Sequence, residues 1–418
     1  MKLAKLSEVC IFNPPKNEAR LALDTDQLVS FMPMQDLGIE SIIAEASSSR
    51  PLGEVIKAYT YFAENDVLIA KITPCFENGK MGIARNLVNG VGFGSSEYFV
   101  LRPLDSILSE YLYYFLRQEI VIENGREIMT GAVGHRRVPG EYLENLKIPL
   151  PSLKEQVEIV EKLDKAFAEF DLMEEALSLS ISKSNELMQS LLSASLVSPE
   201  AELGSSNSSA KQIFNMKTFK LSEVCSFSRG LTYSKGDEVE YSSNVVLRAN
   251  NIDLASNSLN LQDLRYIKES IRIKKEKIAK KDSIIICTAS GSKSHVGKVA
   301  LIDEDYQYAF GGFMGQITPL SNCHHKYLYY ILTSGSFKEY LMNLNDGTNI
   351  NNLKFSDIED YEFLMPSLEN QLKIVKKLDR AFIEIESLKS QISVRQSFAS
   401  VLRQSLLSSV FIKVDEVA

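Results

Sequence analysis

Residues 151–167 read PSLKEQVEIVEKLDKAF, and residues 366–382 read PSLENQLKIVKKLDRAF, 215 positions later and with 11 of 17 residues identical. In the first, Leu153, Val160 and Phe167 lie seven apart with Leu163 and Phe170 at the intervening positions. In the second, Leu368, Val375 and Phe382 are spaced in the same way, with Leu378 and Ile385 between them. Apolar residues at that spacing form the seam of a coiled-coil helix, so a long helix is expected to open at each site. Working outward, KLSEVC at 5–10 returns at 220–225, and LMQSLL at 187–192 returns as LRQSLL at 402–407, both at the same offset. Asp66 and Asp282, the YLYY runs at 111–114 and 327–330, and Gly131 and Gly347 align at 216. The chain is one frame written twice, with contents that diverge between the anchors.

Within each copy about 140 residues of mixed pattern precede the helix. The stretches 66–72 (DVLIAKI), 97–101 (EYFVL), 282–287 (DSIIIC) and 298–302 (KVALI) are short, mostly rich in β-branched residues and bounded by Gly, Asn or Ser, and read as strands. Residues 111–117 and 327–332 read as amphipathic helices. The expected class is α+β: mixed α/β domains at 1–150 and 216–365, helices at 151–200 and 366–418, and a Ser-rich connection at 201–215. An apolar seam on a lone helix needs a partner, and the nearest is its own repeat. Antiparallel pairing of two helices about 70 Å long would make a two-helix coiled coil separating two pseudo-symmetric domains.

Net charge is −8, the wrong sign for a simple nucleic-acid binder. The excess is local, however: residues 151–200 carry −6 and 1–150 carry −4, whereas 216–365 are neutral and 366–418 carry +2. The run KESIRIKKEKIAKK at 268–281 holds seven basic and two acidic residues, either a DNA-facing surface or a solvated helix or edge-strand face. No run of eighteen apolar residues and no signal peptide is visible, so a soluble cytoplasmic protein without a membrane role is expected. The five cysteines form no CxxC pair, and Cys323-His324-His325 lacks ligand spacing; no metal site is expected.

Several strings imitate catalytic motifs. Asn13-Pro14-Pro15-Lys16 approaches the NPPY or NPPF loop of adenine methyltransferases, but Lys16 cannot hold a flipped base as an aromatic ring does. The stretch 291–299 (GSKSHVGKV) has five residues between its glycines rather than four, and Val299 where a phosphate loop needs Ser or Thr. Gly92-Phe93-Gly94 lacks a third glycine. What remains is two sets of polar loops at matched places. After the first core strand, copy one offers Lys71, Thr73, Asn78 and Lys80, and copy two Thr288, Ser290, Ser292, Lys293 and Ser294. Before the long helix, copy one offers His135, Arg136 and Arg137, and copy two Asn349, Asn351 and Asn352. Arg suits guanine and Asn suits adenine in a major groove, while Lys, Ser and Thr suit phosphates; the plain alternative is solvated loops.

The P-S-L-x-x-Q-x-x-I-V-x-K-L-D pattern, occurring twice and each time opening a long helix, together with the two-copy layout, resembles the specificity subunit of type I restriction-modification enzymes over the whole chain. Asn370, where Glu usually precedes the Gln, is a mild departure. The resemblance implies that each mixed domain is a target recognition domain for one half of a split double-stranded DNA sequence. It implies that the helices are a spacer and a docking surface for two modification subunits, through which restriction subunits join. S-adenosylmethionine, ATP and Mg would then belong to partner chains, and this chain would be non-catalytic. The alternative is a coiled-coil protein-interaction scaffold without DNA recognition, which net acidity favours; divergent polar loops in a repeated frame favour DNA.

Overall fold

The computed structural model describes residues 2–39, 41–132, 134–196, 216–253, 256–291, 295–344 and 352–412. The expected connection at 201–215 lies outside them. The chain divides into two compact units, residues 1–178 with 393–418, and residues 179–392. Each unit therefore holds one globular copy, the first part of its own long helix and the last part of the other copy's helix.

In the first unit the strand Lys2–Lys5 pairs antiparallel with Lys147–Leu150, tying the copy's start to the residues just before its long helix. A five-stranded sheet runs in the order Cys10–Phe12, Tyr98–Pro103, Val67–Ala70, Met81–Ala84, Ile43–Ala44. A four-stranded sheet runs Ser48–Pro51, Leu28–Met32, Val91–Gly94, Thr60–Ala63. The second unit repeats the plan: Lys217–Lys220 pairs with Glu362–Met365, one sheet runs Cys225–Arg229, Met314–Pro319, Ile284–Cys287, Val299–Leu301, and another runs Glu238–Val239, Arg265–Ile267, Asn244–Leu247, Ala309–Phe310. The four strands and two helices expected from sequence are present, the helices as Ser109–Leu116 and His325–Thr333.

The repeated motif has a physical reason in each unit. Gln156 is fully buried; its side-chain carbonyl accepts from the Leu108 amide (2.9 Å) and its Nε2 donates to Ser106 O (2.9 Å) and Pro151 O (3.0 Å). Gln371 does the same with His324 N (2.7 Å), Asn322 O (3.0 Å) and Pro366 O (3.0 Å). One amide thus satisfies three backbone groups that would otherwise be orphaned where the long helix leaves the domain. The YLYY runs complete the joint: Tyr111 donates to Pro149 O and Tyr327 to Leu364 O, while Tyr114 donates to Asp164 and Tyr330 to Asp379. Burial, with the neighbouring carboxylate in the latter two cases, pushes these hydroxyls up out of the ordinary tyrosine range.

The long helices run over Leu153–Ser195 and Leu368–Ile412. The seam has two partners rather than the one expected. Val160 and Leu163 are buried with Tyr111 and Leu112 of their own copy and with Leu407 and Phe411 of the other helix; Val375 and Leu378 are buried with Tyr327 and Leu328 and with Leu192 and Leu196. Pairing within each unit is antiparallel: Arg403 reaches Asp171 and stands 5.0 Å over the Phe167 ring in the first, and Lys389 meets Met188 in the second. Phe170 takes the same Arg403 at 5.9 Å, Phe382 packs edge-on against Tyr330, and Ile385 is buried. Leu153 and Leu368 correct the seam expectation, since each opens its helix and stays 44% and 42% exposed. A first-turn residue has only the turn beyond it to cover it.

Candidate nucleic-acid interface

The two polar loops of each copy are far apart in sequence and adjacent in space. In the first copy Thr73 N donates to Arg136 O (2.9 Å), Val138 N donates to Lys71 O (3.0 Å), and Ile72 and Arg137 form an isolated antiparallel bridge. In the second, Leu353 N donates to Thr288 O (2.7 Å) and Ala289 bridges Asn352. The same short ladder therefore ties the loop after the core strand to the loop before the long helix in both copies. A third segment joins it: Lys71 N donates to Glu97 O (2.9 Å), and Thr288 N to Phe313 O (2.9 Å).

The side chains on that ladder differ. Arg137 grips Glu97 with both branches, Nε to Oε2 at 2.9 Å and Nη2 to Oε1 at 2.8 Å. Arg137 holds the Glu97 carboxyl below the usual carboxylate range, and Glu97 in turn raises the guanidinium. The Arg136 guanidinium donates to Glu77 at 3.0 Å, its side chain 40% exposed against 47% for Arg137. Lys71 stands 5.4 Å over the Phe99 ring. His135 and Asn78 are exposed. Lys80 points its ammonium at Met34 O (3.1 Å), and the Thr73 hydroxyl lies 3.9 Å from Met129 sulfur, so both polar heads are engaged within the domain. In the second copy the Thr288 hydroxyl donates to Phe313 O (3.0 Å), Ser290 is half-buried and Asn352 is exposed. Ser292, Lys293, Ser294, Asn349 and Asn351 lie outside the described residues.

The catalytic look-alikes have structural jobs. Asn13 sits at φ 47°, a left-handed position that Asn tolerates, and its side-chain carbonyl accepts from Val100 N at 3.1 Å, turning the chain after strand Cys10–Phe12. Lys16 reaches Lys57 O at 3.4 Å. His324 caps helix His325–Thr333 by accepting from Lys326 N (3.3 Å). The basic run at 268–281 is neither helix nor edge strand but mostly irregular, with one tight turn at Lys275–Lys277; Lys268 and Lys277 donate to Gly236 O and Arg229 O, each at 2.8 Å. Among the described residues no group of three His, Cys, Asp or Glu side chains is placed to hold a metal ion, and no helix is long and apolar enough to cross a membrane.

Sequence reasoning missed Glu77 and Glu97, which hold the arginines, and Phe313, whose ring is 72% exposed. The Gly311-Gly312-Phe313 string was the available signal, an aromatic residue on a loop too small-sided to cover it.

Two α/β domains built on one frame, each presenting its own polar edge beside a helix, define a recognition scaffold. The chain belongs to the type I restriction modification DNA specificity domain family, whose sequence model matches residues 38–182 and 214–395. It is 37% identical over 198 residues to the type I restriction enzyme EcoEI specificity subunit of Escherichia coli, a match covering 47% of this chain and 33% of that protein. The match to the EcoAI specificity subunit of Escherichia coli, 35% over 170 residues, covers 40% of this chain and 29% of the relative, so the matches span about a third of the length of these two curated relatives. The fold is similar to that of a solved chain of a type I R-M system, with a TM-score of 0.77 at 17% identity over 97% of this chain and 96% of the other.

Proposed function

We propose that this chain is the DNA sequence-specificity subunit of a type I restriction-modification enzyme, reading an asymmetric bipartite target in double-stranded DNA, one half per copy. The observation that carries the reading is the shared ladder: one backbone device presents an arginine pair in the first copy and an aromatic and amide edge in the second. Two identical readers related by a pseudo-two-fold would call for a palindrome; unlike edges call for unlike halves. Affinity comes from phosphate contacts by lysines such as Lys71, and discrimination from base-edge contacts, with Arg136 the freer arginine for a guanine. The helices act as the spacer that fixes the gap, with half-site centres about one helical turn apart, and as the docking surface for two modification subunits. Restriction subunits join through those, and S-adenosylmethionine, ATP and Mg are held by the partners. The chain itself performs no chemistry and works in the cytoplasm, where its DNA lies.

Methylation mapping with the purified complex tests this reading. A split, non-palindromic motif with a fixed gap is expected, and a palindromic or continuous motif overturns it. A gel shift whose affinity falls with salt is the second arm, because phosphate neutralisation releases counterions. Binding to proteins but not to DNA would leave the coiled-coil scaffold reading in its place.

A further inference from the structure

The second copy carries a cleft that the shared frame does not require. It opens where that copy's two sheets meet, encloses about 620 Å³, and is walled by Arg248, Arg265, Lys235 and Tyr233 with a single carboxylate, Glu238, and with Phe313 among its lining residues. That volume falls within the range of about 300–1,000 Å³ typical of small-ligand sites. The backbone of Phe313 is pinned, since its carbonyl accepts from Thr288 N (2.9 Å), Ala289 N (3.2 Å) and the Thr288 hydroxyl (3.0 Å), while its ring stays in solvent. Arg248 gives one nitrogen to Asp263 (3.0 Å), but its Nε is buried without a hydrogen-bond partner. A buried donor left unpaired carries a desolvation cost that an acceptor on a ligand would remove.

The first copy shows what closes this space. Ser95 N donates to Met32 O (3.3 Å) just as Gly311 N donates to Leu247 O (2.8 Å), which makes Tyr98 the counterpart of Met314, Pro33 that of Arg248 and Glu97 that of Phe313. Tyr98 is buried, and its hydroxyl bridges the junction to Met32 O (3.3 Å) and Pro33 O (3.0 Å). The second copy has a methionine there and puts cations and an exposed ring around it.

We propose that this cleft seats one nucleotide turned out of the DNA stack, its base against Phe313 and its phosphate on Arg265 and Lys235. The proposal rests on the DNA-reading function above. An intact base pair offers a groove reader only its edge and needs no concavity. An unstacked base needs a new π-face and a counter-charge for its phosphate, and both are here in a cleft that joins the reading ladder through Ala289 and Ser290.

The test uses the full chain with its modification subunits and target DNA carrying 2-aminopurine at successive positions of each half. Because the modification subunits themselves turn out the base they methylate, each half should brighten at that base, and one half should brighten several-fold at one further position. Phe313→Ala should abolish that rise and weaken binding to that half about fivefold or more, and Phe313→Tyr should retain both. Arg265→Gln should weaken binding and lower its salt dependence. The Phe313→Ala thermal midpoint should stay at the wild-type value because the ring is exposed, which separates loss of stacking from loss of fold. If no position beyond the methylated bases brightens, or every rise survives Phe313→Ala, the cleft proposal is overturned. If the wild-type complex yields no split motif at all, it is the DNA-reading function that fails.

Discussion

The first copy pairs the charges on its polar edge, and the second leaves an aromatic ring exposed on its own. At one structural position the first copy has Glu97, closed on Arg137 by two hydrogen bonds, and the second has the exposed ring of Phe313. Beneath that position the first copy has the buried Tyr98 and the second has a cleft. Yet the backbone hydrogen bonds around these residues match. The lesson is that a backbone ladder fixed by main-chain groups tolerates any side chain that does not enter the core, so the frame can persist while the surface changes its chemistry.

If the frame is equivalent in both copies, matched changes must cost the same in each. Leu163→Ala and Leu378→Ala remove buried leucines from the two joints, and each should destabilise its unit by about 2–5 kcal/mol in denaturant unfolding. A large loss in one and none in the other would break the equivalence. Gln156→Ala and Gln371→Ala should follow at about 1–3 kcal/mol, because each leaves backbone groups at the helix exit unpaired. Arg136→Ala should sharpen the contrast between surfaces: a loss of about 1–3 kcal/mol confined to one half-site, read in binding to half-site variants, with unaltered reading of the other half. An Arg136 variant with unchanged half-site preference would remove it from the reading set.

The smallest effect expected is electrostatic. Glu97 has a folded-state pKa below its unfolded value, so its pairing with Arg137 stabilises the loop above the ordinary glutamate range and is lost as pH falls through the depressed value. Acid below the ordinary glutamate range should therefore lower the hydrogen-exchange protection factors of Thr130 and Arg137, which bond one another across this loop, and leave those of Thr288 and Leu353 unaffected, since Phe313 cannot titrate. Equal loss of protection in both copies would show that something other than Glu97 governs the change.

The repeat, the class, the core strands and the helix openings were legible because they rest on local signals: identical strings at one offset, apolar spacing of seven, and short β-branched runs between turn formers. The PSLxxQ motif was visible as a pattern, but its meaning was not. That Gln156 and Gln371 each close three backbone bonds depends on segments some 50 residues away. The two loops were legible as matched polar stretches, while the ion pairs within them were not, since a glutamate 40 positions from Arg137 gives no sign in sequence of being its partner. The seam was read as helix against helix because a heptad states only that a face is apolar, not what covers it.

The sequence by itself determined that this chain has two copies, where each long helix begins and which polar segments vary, because periodicity and identity are properties of order along the chain. Only the tertiary structure decided that Leu153 and Leu368 stay exposed, that Arg137 is closed on Glu97, and that the second copy has a cleft beside Phe313. Those outcomes depend on distances between residues far apart in the chain, and packing sets such distances once many side chains compete for the same space.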